Sequence, residues 1–166
     1  LRVDLNVPIV NGKITEKSRI ESIKLTIKKL RDNQNKIFLL SHFGRPKGKE
    51  DIKYSLKFLC DTLEKEFEMN SIFFSKNFDP ISIKENINKM NFGDVCLFEN
   101  VRFYPEEEEN NLDFVKKLSI NFDVYVNDAF SASHRNHASI VGFPNFLPSI
   151  AGYSLINEIK NIENFI

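Results

Sequence analysis

Arginine is the scarcer of the two permanent cations in this chain, so its positions are informative. Only six of the 23 basic residues are arginine, namely Arg2, Arg19, Arg31, Arg45, Arg102 and Arg135. A guanidinium group presents a planar fork of N–H donors that matches a carboxylate or phosphate, which a lysine ammonium cannot do. A chain that uses lysine for its charged surface can keep arginine for binding anions. The alternative is that these arginines are scattered surface charges, and their placement decides between the two.

A set of polar residues follows the predicted strands at the point where each strand ends. It comprises Asp4, Asn6, Arg19, Arg45, Arg102 and Arg135. Ligands of open parallel sheets bind beyond the carboxyl ends of the strands, so we expect these side chains to share one rim. The sequence therefore predicts an anion pocket at this rim, to which Arg2 and Arg31 do not contribute.

Arg19 carries a second indication, because it lies at the start of a predicted helix. The helix dipole favours acidic side chains there by roughly 0.3–1 kcal/mol, and a cation is locally disfavoured. A specific task for Arg19 is one interpretation, and a solvated arginine at a helix start is the other.

The three histidines lie close to these arginines in the sequence. His42 falls on the predicted rim, and His134 and His137 flank Arg135. The pair His134-x-x-His137 could offer two nitrogens to zinc. No third or fourth ligand follows at a suitable spacing, so we expect no metal site on this chain.

Composition and motif patterns argue against several classes of protein. Lys+Arg and Asp+Glu both number 23, without the basic excess that nucleic-acid-binding proteins usually carry. No apolar run approaches the ~18 residues of a membrane helix, and the first residues do not read as a signal peptide. Cys60 and Cys96 lie inside apolar patterns, as reduced core thiols of a cytoplasmic protein do. Segment 44–49 is not a P-loop, because its glycines are too close together and Glu50 replaces the required Ser or Thr.

Short apolar runs alternate with longer amphipathic segments along the chain. Strands are predicted at 1–5, 36–41, 71–75, 95–98 and 124–126, and helices at 18–32, 56–67, 81–90, 112–118 and 154–165. Ser18 and Ser82 each stand three residues before a glutamate, which predicts capping boxes. The acidic run Glu106–Glu109 is predicted to be a solvated loop. The alternation predicts an α/β fold, Rossmann-like, with a parallel sheet between two layers of helices.

Length predicts one domain over residues 1–153, with residues 154–166 beginning a helix that we expect to pack loosely. The chain begins inside a predicted strand without methionine and stops within a predicted helix. We therefore expect both ends to be cuts in a longer protein.

Five segments resemble the successive signatures of the phosphoglycerate kinase family. They are Arg2-Val-Asp-Leu-Asn-Val-Pro8, Ser41-His-Phe-Gly-Arg-Pro-Lys-Gly48, Glu99-Asn-Val-Arg-Phe-Tyr-Pro-Glu-Glu-Glu108, Asn127-Asp-Ala-Phe130 with His134-Arg-Asn-His-Ala-Ser139, and Leu147-Pro-Ser-Ile-Ala-Gly152. They occur in the family's order and span nearly the whole chain. Several motifs in sequence are far more specific than a single glycine-rich match.

The resemblance implies a monomeric, two-domain, cytoplasmic enzyme of glycolysis, a phosphotransferase with a carboxyl group as acceptor. Such an enzyme transfers a phosphoryl group reversibly between 1,3-bisphosphoglycerate and ADP, giving 3-phosphoglycerate and ATP. Its N-terminal domain binds the phosphoglycerate, and its C-terminal domain binds ATP or ADP with Mg²⁺. This chain resembles only the N-terminal domain, so we expect it to be inactive alone and to hold no cofactor itself.

The resemblance also assigns roles to residues. The substrate-binding set it implies is Asp4, Leu5, Asn6, Arg19, His42, Phe43, Gly44, Arg45, Arg102 and Arg135. Asp4 and Asn6 would contact the glycerate hydroxyl and carboxyl end. His42 and the last three arginines would hold the phosphate that is not transferred. Arg19 would be catalytic, stabilising the phosphoryl group in flight.

Departures from the family pattern are small and remove no charged contact. Leu5 stands where many members have Phe, and Ser131-Ala-Ser133 stands where Gly-Thr-Ala is frequent. Two other functions stay open from the residues alone. A stand-alone module that binds a phosphorylated metabolite without catalysis would show the same rim. A nucleic-acid-binding domain is disfavoured by the neutral charge and the few aromatic–basic clusters.

Overall fold

Strands and helices alternate along residues 1–164, the part of the chain that the computed structural model describes. The strands are β1 (Arg2–Val3), β2 (Ile9–Val10), β3 (Lys13–Ile14), β4 (Ile37–Leu39), β5 (Phe73–Ser75), β6 (Val95–Phe98), β7 (Tyr125–Asp128) and β8 (Ser149–Ala151). The α-helices are α1 (Ser18–Ser22), α2 (Lys24–Asp32), α3 (Cys60–Glu66), α4 (Pro80–Lys89), α5 (Pro105–Glu108), α6 (Leu112–Ser119) and α7 (Tyr153–Glu163). Short 3₁₀ turns at Val101–Phe103 and Phe130–Ala132 follow β6 and β7.

Six strands form one parallel sheet. Pairing gives the order β1-β7-β8 on one side and β4-β6-β5 on the other, all parallel. The two sets join between β1 and β4, where the Val3 amide donates to the Leu40 carbonyl (3.0 Å) and the Leu40 amide to the Leu1 carbonyl (2.9 Å). The order across the sheet is therefore β8-β7-β1-β4-β6-β5, and parallel pairing places the carboxyl ends of all six strands at one edge.

The residues of β4 divide between two apolar cores. Ile37 and Leu39 pack with residues of α1, α2 and α3, whereas Phe38 and the following Leu40 pack with residues of α4 and α6. Successive side chains of a strand point to opposite faces, so the two cores lie on the two sides of the sheet. This is the predicted three-layer α/β fold. It also explains why β4 reads as an unbroken apolar run, since both of its faces are covered.

Two helices begin with caps other than the predicted ones. The capping box at Ser18 is wrong, because α1 has no side-chain cap and the Ser18 amide donates to the Glu16 carboxylate (2.8 Å). The box at Ser82 is also wrong, because Asp79 caps α4 and accepts from the Ser82 amide (2.9 Å). In both places a carboxylate just upstream provides an ionised acceptor, which binds an amide more strongly than a hydroxyl does.

The acidic run is not the solvated loop that the sequence suggested. Residues Pro105–Glu108 form α5, and the Glu107 side chain on its inner face is fully buried. Both Glu107 oxygens accept hydrogen bonds from Ser139, one from the backbone amide (2.7 Å) and one from the hydroxyl (2.6 Å). A carboxylate is tolerated at this depth because these donors replace water.

Helix α7 is attached to the rest of the molecule mainly through its first turn. The Leu155 amide donates to Asp128 Oδ1 (3.0 Å) and the Tyr153 amide to Thr26 Oγ1 (2.9 Å). None of the described residues of α7 is buried, in agreement with the loose packing expected. The predicted helix extended to Phe165, which lies outside the described residues. Within residues 1–164 no helix combines the length and the apolar character needed to cross a membrane.

Candidate functional site

The candidate site lies at the carboxyl edge of the sheet, where the chain changes direction. From β1 the chain passes to β4 on one side, and it returns much later to β7 on the other side. Strands β1 and β7 are neighbours, and the loops that follow them therefore run in opposite directions. This leaves a crevice between the loops, of the kind that binds ligands in open α/β sheets.

Asp4 joins three elements at this crevice. It follows β1, its carboxylate forms an ion pair with Arg19 of α1, and it accepts a hydrogen bond from Ser131, which follows β7. The Asp4 side chain is 11% exposed and the Arg19 side chain 39%. Arg19 is thus held at the mouth of the crevice with part of its surface open to solvent.

Arg102 reaches the same region from the turn after β6. The residue is only 4% exposed, and its Nη1 donates to the Gly44 carbonyl (2.9 Å). Its Nε lies 3.6 Å from Glu108 Oε1, and neither Nε nor Nη2 has a hydrogen-bond partner within residues 1–164. Burial, and after it the positive charge of Arg135, lower the pKa of Arg102.

His42 stands among four arginines. Its Nδ1 lies 3.0 Å from Arg2 Nη2, and the residue is 6% exposed. Burial lowers the pKa of His42 to about 2, and the positive charges of Arg2, Arg102, Arg135 and Arg19 act in the same direction. The imidazole is therefore neutral at physiological pH, and four guanidinium groups are near enough to His42 to disfavour its protonation.

Arg135 lies in the loop after β7, between two histidines in different environments. Its side chain is half-buried, and its Nε has no hydrogen-bond partner in the described part of the chain. His134 is exposed, whereas His137 is half-buried, with Nδ1 3.7 Å from Glu107 Oε1. Among residues 1–164 no group of three or more His, Cys, Asp or Glu side chains is arranged to hold a metal ion.

The loop after β4 is fixed by amide side chains. Asn6 Oδ1 accepts from the Gly44 amide (2.9 Å), and Asn100 binds both the amide (3.2 Å) and the carbonyl (2.7 Å) of Phe43. Gly44 has φ +60°, and an added Cβ would lie 2.5 Å from the Tyr54 ring. Arg45, which is exposed, is the next residue along the chain. The backbone of Arg45 therefore belongs to a loop with little conformational freedom.

Comparison with models of protein families assigns the chain to one family. A family model described as phosphoglycerate kinase matches residues 1–166. The chain belongs to the phosphoglycerate kinase family. All five segments that carried the resemblance fall within this match.

Individual phosphoglycerate kinases agree with the assignment. The enzyme of Wolbachia pipientis is 46% identical over 168 residues, covering all of this chain and 41% of that relative. The enzyme of Chelativorans sp. is 42% identical over 163 residues, covering 98% of this chain and 41% of the relative. The chain thus spans about two fifths of the length of these curated phosphoglycerate kinases.

Solved phosphoglycerate kinase structures share the fold. The chain superposes on the enzyme of Coxiella burnetii with a TM-score of 0.84 at 35% identity, covering 96% of this chain and 39% of that one. For Pyrococcus horikoshii the TM-score is 0.85 at 32% identity, covering 96% and 40%. These likenesses confirm the predicted fold class.

Two residues implied as substrate contacts have side chains that pack against the rest of the chain. Leu5 is fully buried in the core beside α1–α3, and its amide donates to Ser41 Oγ (2.9 Å). Phe43 is half-buried and packs edge-on against Phe58, with ring centroids 5.3 Å apart. The Leu5 carbonyl accepts from the Val7 amide (2.8 Å), so the backbone amide and the carbonyl of Leu5 both have partners among the described residues.

Sequence reasoning missed Arg2. It lies within β1 and is 1% exposed, yet its guanidinium reaches His42 and its Nε donates to Ser139 Oγ (2.9 Å). The available signal was an arginine inside the apolar run of a buried strand. Arg31, in contrast, donates to two backbone carbonyls, those of Gly93 and Phe67.

An apolar cavity of about 570 Å³ lies at the opposite edge of the sheet from the arginines. Leu1, Phe38, Phe122, Tyr125 and Leu147 are among its lining residues. Leu1 and Tyr125 stand at the amino ends of β1 and β7. This cavity is therefore separate from the arginine rim, and its mostly apolar lining also includes Lys29 and Lys36.

Proposed function

We propose that this chain is the phosphoglycerate-binding part of a phosphoglycerate kinase. The complete enzyme transfers a phosphoryl group reversibly between 1,3-bisphosphoglycerate and ADP, giving 3-phosphoglycerate and ATP in glycolysis. We further propose that it acts as a cytoplasmic monomer. Support comes from the family match over the whole chain. The activity is that of the curated phosphoglycerate kinases, of whose length this chain spans about two fifths.

The single observation that carries the proposal is the state of Arg102. Its guanidinium is buried, but Nε and Nη2 find no hydrogen-bond partner in the described part of the chain. An unpaired buried donor costs about 1–3 kcal/mol, and more when it is charged. The oxygens of a phosphate ester would pair these donors. The unpartnered Nε of Arg135 supports the same ligand.

The proposed roles divide the rim into two parts. Arg45, Arg102, Arg135 and neutral His42 hold the phosphate that stays on the substrate. Asp4 and Asn6 contact the glycerate hydroxyl and carboxyl end. Arg19 stands at the mouth, where it stabilises the phosphoryl group during transfer. Partial exposure of Arg19 fits a group that meets its target only when that target arrives from outside.

The chemistry requires positive charge rather than a base. The acceptor is a carboxylate, which is already ionised near pH 7, so no proton has to be removed. Phosphate, carboxylate and the moving phosphoryl group are all anionic, and phosphoryl transfer depends mostly on positioning and electrostatic stabilisation. A rim of arginines around a neutral histidine suits that reaction.

Nucleotide and metal are proposed to bind outside this chain. Mg²⁺ in kinases is bound through one or two carboxylates together with the phosphates of the nucleotide. Because this chain spans about two fifths of the curated relatives, we assign Mg²⁺ with ATP or ADP to the remainder of the enzyme, and no turnover to this chain alone.

Titration calorimetry of the purified chain with 3-phosphoglycerate tests the proposal. We expect binding, and a loss on the order of tenfold or more in Arg102→Met, since hydrogen bonds to charged groups contribute about 1.5–3 kcal/mol. Arg31→Met is the matched control, because it removes one arginine away from the rim and should leave the affinity unchanged.

No binding by the wild-type chain, or an equal loss in both variants, would contradict the proposed site. Turnover of ATP and 3-phosphoglycerate by the chain alone would contradict the assignment of the nucleotide to another part. If the chain binds 3-phosphoglycerate but never supports turnover when supplied with the rest of the enzyme, it is a binding module without catalysis.

A further inference from the structure

A buried chain of hydrogen bonds runs beneath the rim from Glu107 to His42. Ser139 Oγ donates to Glu107 Oε1 (2.6 Å), and Arg2 Nε donates to Ser139 Oγ (2.9 Å). Arg2 Nη2 then lies 3.0 Å from His42 Nδ1. Arg2, Ser139 and Glu107 are each at most 1% exposed, so these three side chains are inaccessible to a ligand at the rim. Their effect on a ligand has to pass through His42.

The direction of each hydrogen bond follows from the chemistry of the groups. A guanidinium only donates, so His42 Nδ1 must accept and carries no proton. A neutral imidazole has one N–H, which is therefore on Nε2. A carboxylate only accepts, so the Ser139 hydroxyl donates to Glu107 and accepts from Arg2. His42 Nε2 has no hydrogen-bond partner within residues 1–164, and its proton is free for a ligand.

The segment that carries Ser139 is held at several points. Its amide donates to Glu107 Oε2 (2.7 Å), and its carbonyl accepts from the Tyr125 hydroxyl (2.7 Å). Arg2 also donates through Nη1 to the carbonyl of Val3, inside β1. The guanidinium is thus anchored to β1 on one side and to Ser139 on the other, which leaves its orientation toward His42 little freedom.

Glu107 provides the charge that makes a buried arginine tolerable. Burial lowers the pKa of Arg2, and the negative charge of Glu107 opposes this effect. Removing one member of such a pair leaves an uncompensated buried charge, which is strongly destabilising. Arg2, Ser139 and Glu107 therefore depend on one another, although they come from three segments of the chain.

We propose that Arg2, Ser139 and Glu107 are positioning residues that fix His42 as a neutral imidazole with its proton on Nε2, ready to donate to the bound phosphate. The identity of the ligand rests on the proposed function, but the tautomer does not. A neutral donor adds a directed hydrogen bond without adding a further positive charge to the arginines. The low pKa of His42, near 2, agrees with an imidazole that stays neutral.

NMR of the ¹⁵N-labelled chain reads the tautomer directly. Long-range correlations of the imidazole nitrogens distinguish a protonated from an unprotonated Nδ1, and loss of one signal set in His42→Asn assigns His42. The proposal expects only the Nε2–H tautomer in the wild-type chain. The double variant Arg2→Met/Glu107→Gln removes both buried charges together and should give a mixture of the two tautomers. Its affinity for 3-phosphoglycerate should fall on the order of tenfold.

Lys28→Met/Asp32→Asn is the matched control for the double variant. These residues form an exposed ion pair on α2 (2.8 Å), so the same two charges are lost away from His42. The control should keep both the tautomer and the affinity of the wild-type chain.

Ser139→Ala decides the question if the double variant does not fold. It deletes one oxygen and keeps both charges, and it should also mix the tautomers and weaken binding. Ser119→Ala is its control, because Ser119 is another buried serine, whose hydroxyl donates to the Lys116 carbonyl (2.9 Å).

Two results would overturn the inference. One is a wild-type His42 that carries its proton on Nδ1 or exchanges between both forms. The other is a pure Nε2–H tautomer in every folded network variant, whatever the affinity. If the wild-type chain binds no 3-phosphoglycerate, the proposed function fails, and the tautomer readout still decides the role of Arg2, Ser139 and Glu107.

Discussion

Among single residues, Gly44 couples backbone conformation to the site. It has φ +60°, a Cβ there would meet the Tyr54 ring at 2.5 Å, and its carbonyl accepts from Arg102. Gly44→Ala should therefore destabilise the chain by about 3 kcal/mol, from left-handed strain together with overpacking. Urea unfolding at one pH measures this loss. Affinity for 3-phosphoglycerate should fall as well, because the displaced carbonyl no longer orients Arg102.

Gly12→Ala is the control for this change. Gly12 has φ +73°, but nothing lies within 4 Å of a Cβ at that position. Only the backbone strain of about 1–2 kcal/mol applies there, and binding should not change. Equal loss of stability in the two variants would show that the Tyr54 ring yields freely and that Gly44 is not tightly confined.

His42 makes the stability of the chain dependent on pH. Its pKa falls from the ordinary value of 6.5 to about 2 in the folded state, so the unfolded state binds more protons between these values. Stability is therefore lost as the pH falls below 6.5. Between pH 7 and pH 5 the loss from this residue should be about 2 kcal/mol. Urea unfolding of the wild-type chain and of His42→Asn at both pH values measures the difference.

The comparison isolates His42 because other groups are shared by both proteins. His137, whose pKa burial also lowers, contributes equally to the two profiles and cancels in their difference. His42→Asn should be less stable at pH 7 but should lose less stability on acidification. Parallel profiles would mean that the pKa of His42 is the same in the folded and the unfolded chain. Burial and the neighbouring arginines would then not keep the imidazole neutral at pH 5.

Among the elements, α7 depends on a capping residue from another element. Asp128 at the end of β7 accepts from the Leu155 amide (3.0 Å), near the start of α7. Asp128→Ala should lower the free energy of unfolding by about 0.5–2 kcal/mol. Because no described residue of α7 is buried, the helix has little else to hold it. Hydrogen exchange of the α7 amides should therefore accelerate far more than that of the sheet.

Asp79→Ala provides the comparison for this prediction. Asp79 caps α4 by accepting from the Ser82 amide (2.9 Å), so its loss should accelerate exchange in the first turn of α4 and leave α7 unchanged. If Asp128→Ala leaves exchange in α7 at the wild-type rate, contacts other than the cap hold that helix against the sheet.

The sequence predicted those elements whose own pattern of apolar and polar residues is enough to define them. Strands β4 and β6 are apolar on both faces, and that pattern alone predicted both: β6 with its observed bounds, and β4 as 36–41 where the strand is Ile37–Leu39. The hairpin of β2 and β3 was missed, although Asn11-Gly12 is a strong turn signal between its strands, because each strand has only two residues. The exposed strand β8 has no local pattern, and only its pairing with β7 makes it a strand.

The residues of the candidate site also differ in whether local sequence or contacts between distant segments determine their position. The rim was predicted from the rule that ligands bind beyond strand ends, which needs only the order of elements, and it stays a prediction. Arg2 and Glu107 were missed because charge alone suggests the surface. Their burial depends on Ser139, 137 residues from Arg2 and 32 from Glu107, and no local pattern shows that such segments meet.

In the whole molecule, the proposed reaction assigns Arg45 to holding the substrate before transfer and Arg19 to stabilising the phosphoryl group during transfer. Arg45 belongs to the fixed loop after β4, whereas Arg19 is held by Asp4 at the mouth of the crevice. In a complete enzyme that contains this chain, Arg45→Ala should mainly raise KM, as loss of uniform binding does. Arg19→Ala should mainly lower kcat, by roughly 10³-fold or more if it acts as arginine fingers do. Steady-state kinetics with 3-phosphoglycerate and ATP measure both.

Arg19→Lys separates charge from geometry in the same enzyme. A lysine ammonium keeps the positive charge and could still pair with Asp4, but it cannot present two N–H groups in one plane to a phosphoryl group. We therefore expect Arg19→Lys to recover little of the lost kcat while leaving KM for 3-phosphoglycerate near that of the unchanged enzyme. If Arg19→Ala raises KM and keeps kcat, Arg19 belongs with the substrate-holding residues. The charge of the transferring group would then have to be stabilised by other donors, in the part of the enzyme that we propose to bind the nucleotide.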